Sequence, residues 1–197
     1  MLHLKNLLKI SSKRKNSPSK VMKVIIIFFL SMFLGCSNIP SRTWKKINNH
    51  KTFLNIQTGD IILKERQYNF LGLFGHVGVM KDSRLVVDYP KLGEHIKIVD
   101  INYWIEKDRN FMILRYIGMN EKFKEKFIEI LNEYINLNRP YQVNFNIKSD
   151  NGFYCSQFIW YLYYKTAKEL EINIKTTDYF LFLPYDFIYS KEFYIVF

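Results

Sequence analysis

The sequence predicts an α+β fold, because about five short apolar segments separated by turn signals come first and two helical patterns follow them instead of alternating with them. Gly59-Asp60 is a turn signal opening the apolar run Ile61-Ile62-Leu63. After a polar and aromatic loop comes His76-Val77-Gly78-Val79-Met80, and the turn Lys81-Asp82-Ser83 leads to a run from Arg84 to Tyr89. That spacing predicts an antiparallel hairpin. Ile96 to Val99 and Phe111 to Tyr116 complete the β-rich part. Phe123, Phe127, Ile130, Leu131 and Tyr134 then recur three and four positions apart behind Asn120, a side chain suited to an N-cap, and predict a helix. A second helical pattern starts at Cys155 and continues through Ile159, Leu162, Tyr163 and Ala167 to about Leu170.

The N-terminus has a different composition. Seven basic residues (Lys5, Lys9, Lys13, Arg14, Lys15, Lys20 and Lys23) precede the apolar run Val24 to Leu34, and no acidic residue occurs before Asp60. This run is too short for a relaxed bilayer span, which needs about 20 residues, but it suits the core of a signal peptide. Phe33-Leu34-Gly35-Cys36-Ser37 resembles the box at which bacterial prolipoproteins are cut and lipidated, with Phe33 and Leu34 where such boxes usually hold Leu and a small residue. The expected organisation is a lipoprotein-type signal over 1–35, a lipidated Cys36 with a tether over 36–55, and one domain over 56–197. Met22-Lys23 would itself open a compact signal, which marks 1–21 as a start-site artefact or a long basic region. Plain cleavage and an uncleaved anchor helix are the alternatives. Each puts the domain outside the cytoplasmic membrane, in the cell envelope and facing the periplasm or the exterior.

The formal charge of +11 overstates the basicity of the domain. Removing the seven signal residues from 29 Lys and Arg leaves 22 against 18 acids, a surplus of four, so a nucleic-acid partner is not expected. A monomer is.

With Cys36 assigned to the anchor, Cys155 has no disulfide partner in a secreted domain and is a candidate reactive thiol. It follows the loop Asn151-Gly152-Phe153-Tyr154 and opens a helical pattern. There the unpaired N–H groups and the positive end of the helix dipole favour thiolate over thiol, and the same groups can hold an oxyanion. Of the histidines outside the signal, His50 lies in the tether. His76, between Gly75 and the Val77-Gly78 pair, is the best base. Asp88 on the neighbouring strand is placed to orient its imidazole, with His95 as the alternative third residue. Tyr154, Ser156 and Gln157 are candidates for an oxyanion or substrate pocket. No close His/Cys/Glu cluster of the zinc type is present, so no metal or cofactor is expected.

Gly59-Asp60-Ile61-Ile62-Leu63, Gly75-His76-Val77-Gly78-Val79, Val86-Val87-Asp88 and Phe153-Tyr154-Cys155-Ser156-Gln157-Phe158-Ile159-Trp160 follow in that order. Together they resemble the YiiX/YebB-like branch of the NlpC/p60 superfamily of cysteine hydrolases. The resemblance covers roughly 56–190. Trp104, Arg115, Tyr141 and Leu183-Pro184-Tyr185-Asp186-Phe187 also fall where such proteins tend to carry a Trp, an Arg, a Tyr and a Pro-containing segment. It implies a circularly permuted papain-like fold, an antiparallel sheet or partial barrel packed on helices, with the His strand ahead of the nucleophile in the chain. It also implies covalent chemistry through a thioester. Two departures stand out: Gln157 replaces a usual Glu, and Asp88 stands where Glu is common. The implied substrates are amide bonds of peptidoglycan peptides or, as in lecithin:retinol-acyltransferase-like relatives, lipid acyl groups. A non-catalytic lipoprotein that only binds surface ligands is the reading from a different class.

Overall fold

A computed structural model of the chain describes residues 44–45, 55–67, 73–105, 109–174 and 180–196. The expected signal peptide, Cys36, His50 and most of the tether lie outside the described residues.

Six strands form one antiparallel sheet: β1 (Ile61–Lys64), β2 (His76–Met80), β3 (Leu85–Asp88), β4 (Lys97–Asp100), β5 (Phe111–Tyr116) and β6 (Phe193–Ile195). Their order across the sheet is β4-β3-β2-β1-β5-β6. The β2–β3 hairpin lies where the turn at 81–83 predicts it. β1 is central, paired with β2 from Ile61↔Val79 to Lys64↔His76 and with β5 from Ile61↔Leu114 to Lys64↔Phe111. Its first three residues, Ile61, Ile62 and Leu63, are fully buried, which is why it reads as an unbroken apolar run instead of an alternating one.

On one face, Ile62, Met80, Val86, Phe111 and Ile113 cluster with Ile101, Trp104 and Ile105, which belong to or follow the single-turn helix α1 (Ile101–Trp104). α2 (Glu121–Leu137) starts at Asn120, whose side chain accepts the Phe123 N–H at 2.9 Å, and stops at Asn138 in the left-handed region. α3 (Cys155–Glu169) packs against both α2 and β2. A short helix, α4 (Asp186–Tyr189), precedes β6. α1, α4 and β6 are additions to the predicted elements; each is too short to carry a periodic signal. Among the described residues, no helix is long and apolar enough to cross a membrane.

Candidate active site

The β2–β3 register pairs Val79 with Val87, and its continuation sets Gly78 opposite Asp88. His76 therefore lies diagonally across from Asp88 on the same face. Its Nε2 is 2.7 Å from Asp88 Oδ1, while the Trp104 indole N–H donates to Asp88 Oδ2 at 2.8 Å. Both carboxylate oxygens are thus engaged, and Asp, though a methylene shorter than Glu, reaches the ring. A Cβ on Gly78 would come within 2.6 Å of a Val86 methyl and 3.1 Å of the Trp104 ring. One on Gly75, at φ +74°, would meet the Tyr185 ring at 2.8 Å. The glycines around His76 thus make room for Trp104 and Tyr185.

Cys155 is the first residue of α3 and is buried. Tyr154 at the N-cap makes no side-chain bond to the helix, so the first-turn N–H groups end the helix dipole directly at the thiol. Cys155, 79 positions from His76 in sequence, contributes after Asp88 to the electrostatic surroundings of the His76 ring. Burial by itself lowers the His76 pKa. The charges of Asp88 and then Cys155, with their hydrogen bonds, outweigh it and push the pKa up to about 10. The ring is only 18% exposed, so water does little to screen those charges.

The remaining sequence candidates have other partners. The Tyr154 hydroxyl accepts the Phe182 N–H at 2.9 Å, and the Ser156 hydroxyl donates to the Phe182 carbonyl at 2.7 Å. Together they clamp the Pro-containing segment to the start of α3. Gln157 is fully buried and donates to the Asn146 and Ser149 carbonyls, tying down the loop that leads into Cys155. Their side chains support the helix start, and the backbone N–H groups are what they can offer an oxyanion. His95 is 2.9 Å from the Asn138 carbonyl through Nδ1 and is exposed; His76 takes Asp88 as its partner instead.

Two residues named only through the family resemblance gain a physical place. Trp104 anchors Asp88. Tyr141, held by a backbone bridge to Phe153 just ahead of the helix, has a phenol raised well above its ordinary pKa by burial first and then by Cys155, Tyr154 and Asp88. It therefore stays protonated, as a hydrogen-bond donor whose electrostatic surroundings include Cys155, Tyr154 and Asp88.

His76 and Asp88 line an open cavity of about 360 Å³ together with Lys64, Lys97, Trp104 and Arg109. Most aromatics near the motifs are packed against one another: Tyr89 meets Phe158 at 4.8 Å and Phe153 at 6.0 Å between ring centroids. Trp160 stacks on Tyr164 and lines a separate cavity of about 260 Å³. Among the described residues, no group of three or more His, Cys, Asp or Glu side chains is placed to hold a metal ion.

Compared with known proteins, residues 55–192 match the family model described as permuted papain-like amidase enzyme, YaeF/YiiX. No curated protein and no solved structure matches.

Proposed function

We propose that this chain, which belongs to the YaeF/YiiX family of permuted papain-like amidases, hydrolyses an amide bond with Cys155 as nucleophile, His76 as proton carrier and Asp88 as the group that orients His76. One arrangement carries the reading: a single imidazole spends Nε2 on Asp88, which leaves Nδ1 for a thiol at the head of a helix. With its pKa near 10, His76 holds a proton through neutral pH that it can give to the leaving group, and the sulfur at the head of the helix is the nucleophile.

The thiolate attacks the carbonyl carbon and a C–S bond forms. The oxyanion is held by N–H groups of the first turn of α3 and by the Tyr141 hydroxyl. On collapse the C–N bond breaks, and the departing nitrogen takes the His76 proton. Neutral His76 then removes a proton from water as it attacks the thioester. The C–S bond breaks, and the thiolate and imidazolium are restored along with the carboxylic acid product. His76 thus acts first as an acid and only later as the base that the sequence suggested.

The substrate we favour is a peptide amide of the cell wall, met at the outer face of a membrane to which Cys36 anchors the chain. Crowding of the site's aromatics into the core supports this choice over a lipid acyl substrate. The test has three parts. Iodoacetamide should label Cys155 at about pH 6 in the wild type, and labelling should disappear in His76→Ala. Cys155→Ser and Cys155→Ala should each abolish hydrolysis of muropeptides and formation of a mass-detectable thioester while keeping the native circular dichroism spectrum. Cys36→Ser should move the protein out of the membrane fraction. Equal labelling with and without His76 would instead identify a binding protein that retains the fold.

A further inference from the structure

Residues 182–185 reach both parts of the proposed site. At one end, the Phe182 N–H donates to the Tyr154 hydroxyl at 2.9 Å and the Phe182 carbonyl accepts the Ser156 hydroxyl at 2.7 Å. Tyr154 and Ser156 are the two chain neighbours of Cys155. At the other end, the Tyr185 ring lies against Gly75, the residue before His76, where a Cβ would come within 2.8 Å of it. The Tyr185 hydroxyl accepts the Arg66 N–H at 2.9 Å, two positions past Lys64, and Lys64 is the cross-strand partner of His76. Between the ends the chain is stiff. Pro184 has a fixed φ, the Asp186 carboxylate accepts the Leu183 N–H at 2.7 Å, and the Asp186 N–H donates to the Leu183 carbonyl at 3.0 Å. Phe182 also packs edge-on against the fully buried Phe187, with 4.7 Å between ring centroids.

Trp44 packs on the same tyrosine, with 5.8 Å between ring centroids. Its neighbour Lys45 exchanges two backbone hydrogen bonds of 2.9 Å with Phe111, and Phe111 is the β5 partner of Lys64. The two described residues of the expected tether are therefore held on the domain, at the end of the sheet where His76 lies. We infer that Tyr185 is a positioning residue for the reaction: residues 182–185 brace the turn that carries Cys155 against the start of the strand that carries His76, and Trp44 holds the brace at its Tyr185 end. This rests on the hydrolase reading and adds to it the part that keeps sulfur and imidazole in register. A misplacement of about 1 Å, caused by a change away from the chemistry, can cost about 10²-fold in rate. The brace joins two elements that the chain itself separates by 79 positions, and its bonds use none of the reacting atoms. Its influence on the reaction is one of place.

The test follows iodoacetamide labelling of Cys155 against pH in the full-length chain in neutral detergent, and needs no substrate. Tyr185→Leu removes the ring that rests on Gly75. At about pH 6 its labelling should be about tenfold slower than in the wild type, with the curve moved toward alkaline pH, because a thiol parted from its imidazolium ionises at higher pH. Tyr185→Phe keeps the ring and loses only the bond to Arg66, and should stay within about threefold of the wild type. Trp44→Ala should fall between these two, and Trp44→Phe should restore most of what Trp44→Ala loses. Where Tyr185→Leu lacks the native circular dichroism spectrum, Trp44→Ala decides in its place. A wild-type curve in the deciding variant overturns the brace. So does a loss in Tyr185→Phe as large as that in Tyr185→Leu, since the packing of the ring would then not be what counts. If labelling of the wild type still depends on His76 in either case, the hydrolase reading survives and only the brace falls; if it does not, both fall.

Discussion

His76 gains its proton against the pull of its own burial, so the charges that reverse this pull control how the site responds to pH. A histidine raised from 6.5 to about 10 adds stability that is complete below about pH 6.5 and lost as pH climbs through 10. Asp88→Asn removes the largest of the charges that raise it. The alkaline limb of the rate profile should then move to lower pH, and the fall in stability over that window should flatten. Turnover should drop by a factor on the order of 10² to 10⁴, the range for losing a group that orients a catalytic histidine. His95→Asn should change the rate less than about twofold, because that ring is exposed and bonded to the Asn138 carbonyl. Rate profiles of the two variants from about pH 5 to 10.5 decide this; a larger loss in His95→Asn transfers the third role to His95. Tyr141→Phe keeps the ring and removes the hydroxyl proposed to hold the oxyanion, and should lower kcat by about 10- to 1,000-fold with little change in KM.

At the level of elements, β2, β3 and α1 act as one device. Gly78 leaves the gap, the Trp104 ring lies over it, and the indole N–H fixes the carboxylate that aims the imidazole. Gly78→Ala should push Trp104 off Asp88, costing about 1–3 kcal/mol of stability from overpacking and lowering kcat beyond any loss of folded protein. Thermal melts alongside active-site titration separate these effects; an undiminished kcat per folded molecule would show that Trp104 has no share in orienting the site. The five longer strands, both long helices, the position of Cys155 at a helix start and the nearness of Asp88 to His76 were legible because each strand is a short apolar run between turn signals, and each helix begins where its periodicity does. Trp104 gave no local signal, because its bond to Asp88 spans 16 positions and a four-residue helix shows no period. The lysines beside the site were equally silent. A charged residue at a strand end reads as solvated until the cross-strand register sets it beside His76.

For the molecule as a whole, the Asp60–Arg115 pair joins parts that lie far apart in the chain. Asp60 is fully buried, and it accepts the Gln57 N–H at 2.9 Å and two Arg115 bonds at 2.7 and 2.8 Å. The preceding carbonyl, of Gly59, takes the Tyr163 hydroxyl from α3. The loop entering β1, the strand β5 and the helix carrying Cys155 are thereby held at one point. Arg115→Met strands a buried carboxylate and should cost about 3–5 kcal/mol, read as a lower urea midpoint at unchanged slope. Asp60→Leu/Arg115→Met removes both charges and should recover most of that loss, so a double-mutant cycle should return a large coupling energy. A single substitution costing less than about 1 kcal/mol would mean that water compensates the pair. Because the pair acts on the frame and not on the sulfur, activity in Arg115→Met should follow the folded fraction, while the pH dependence of Cys155 labelling in the molecules that remain folded stays as in the wild type.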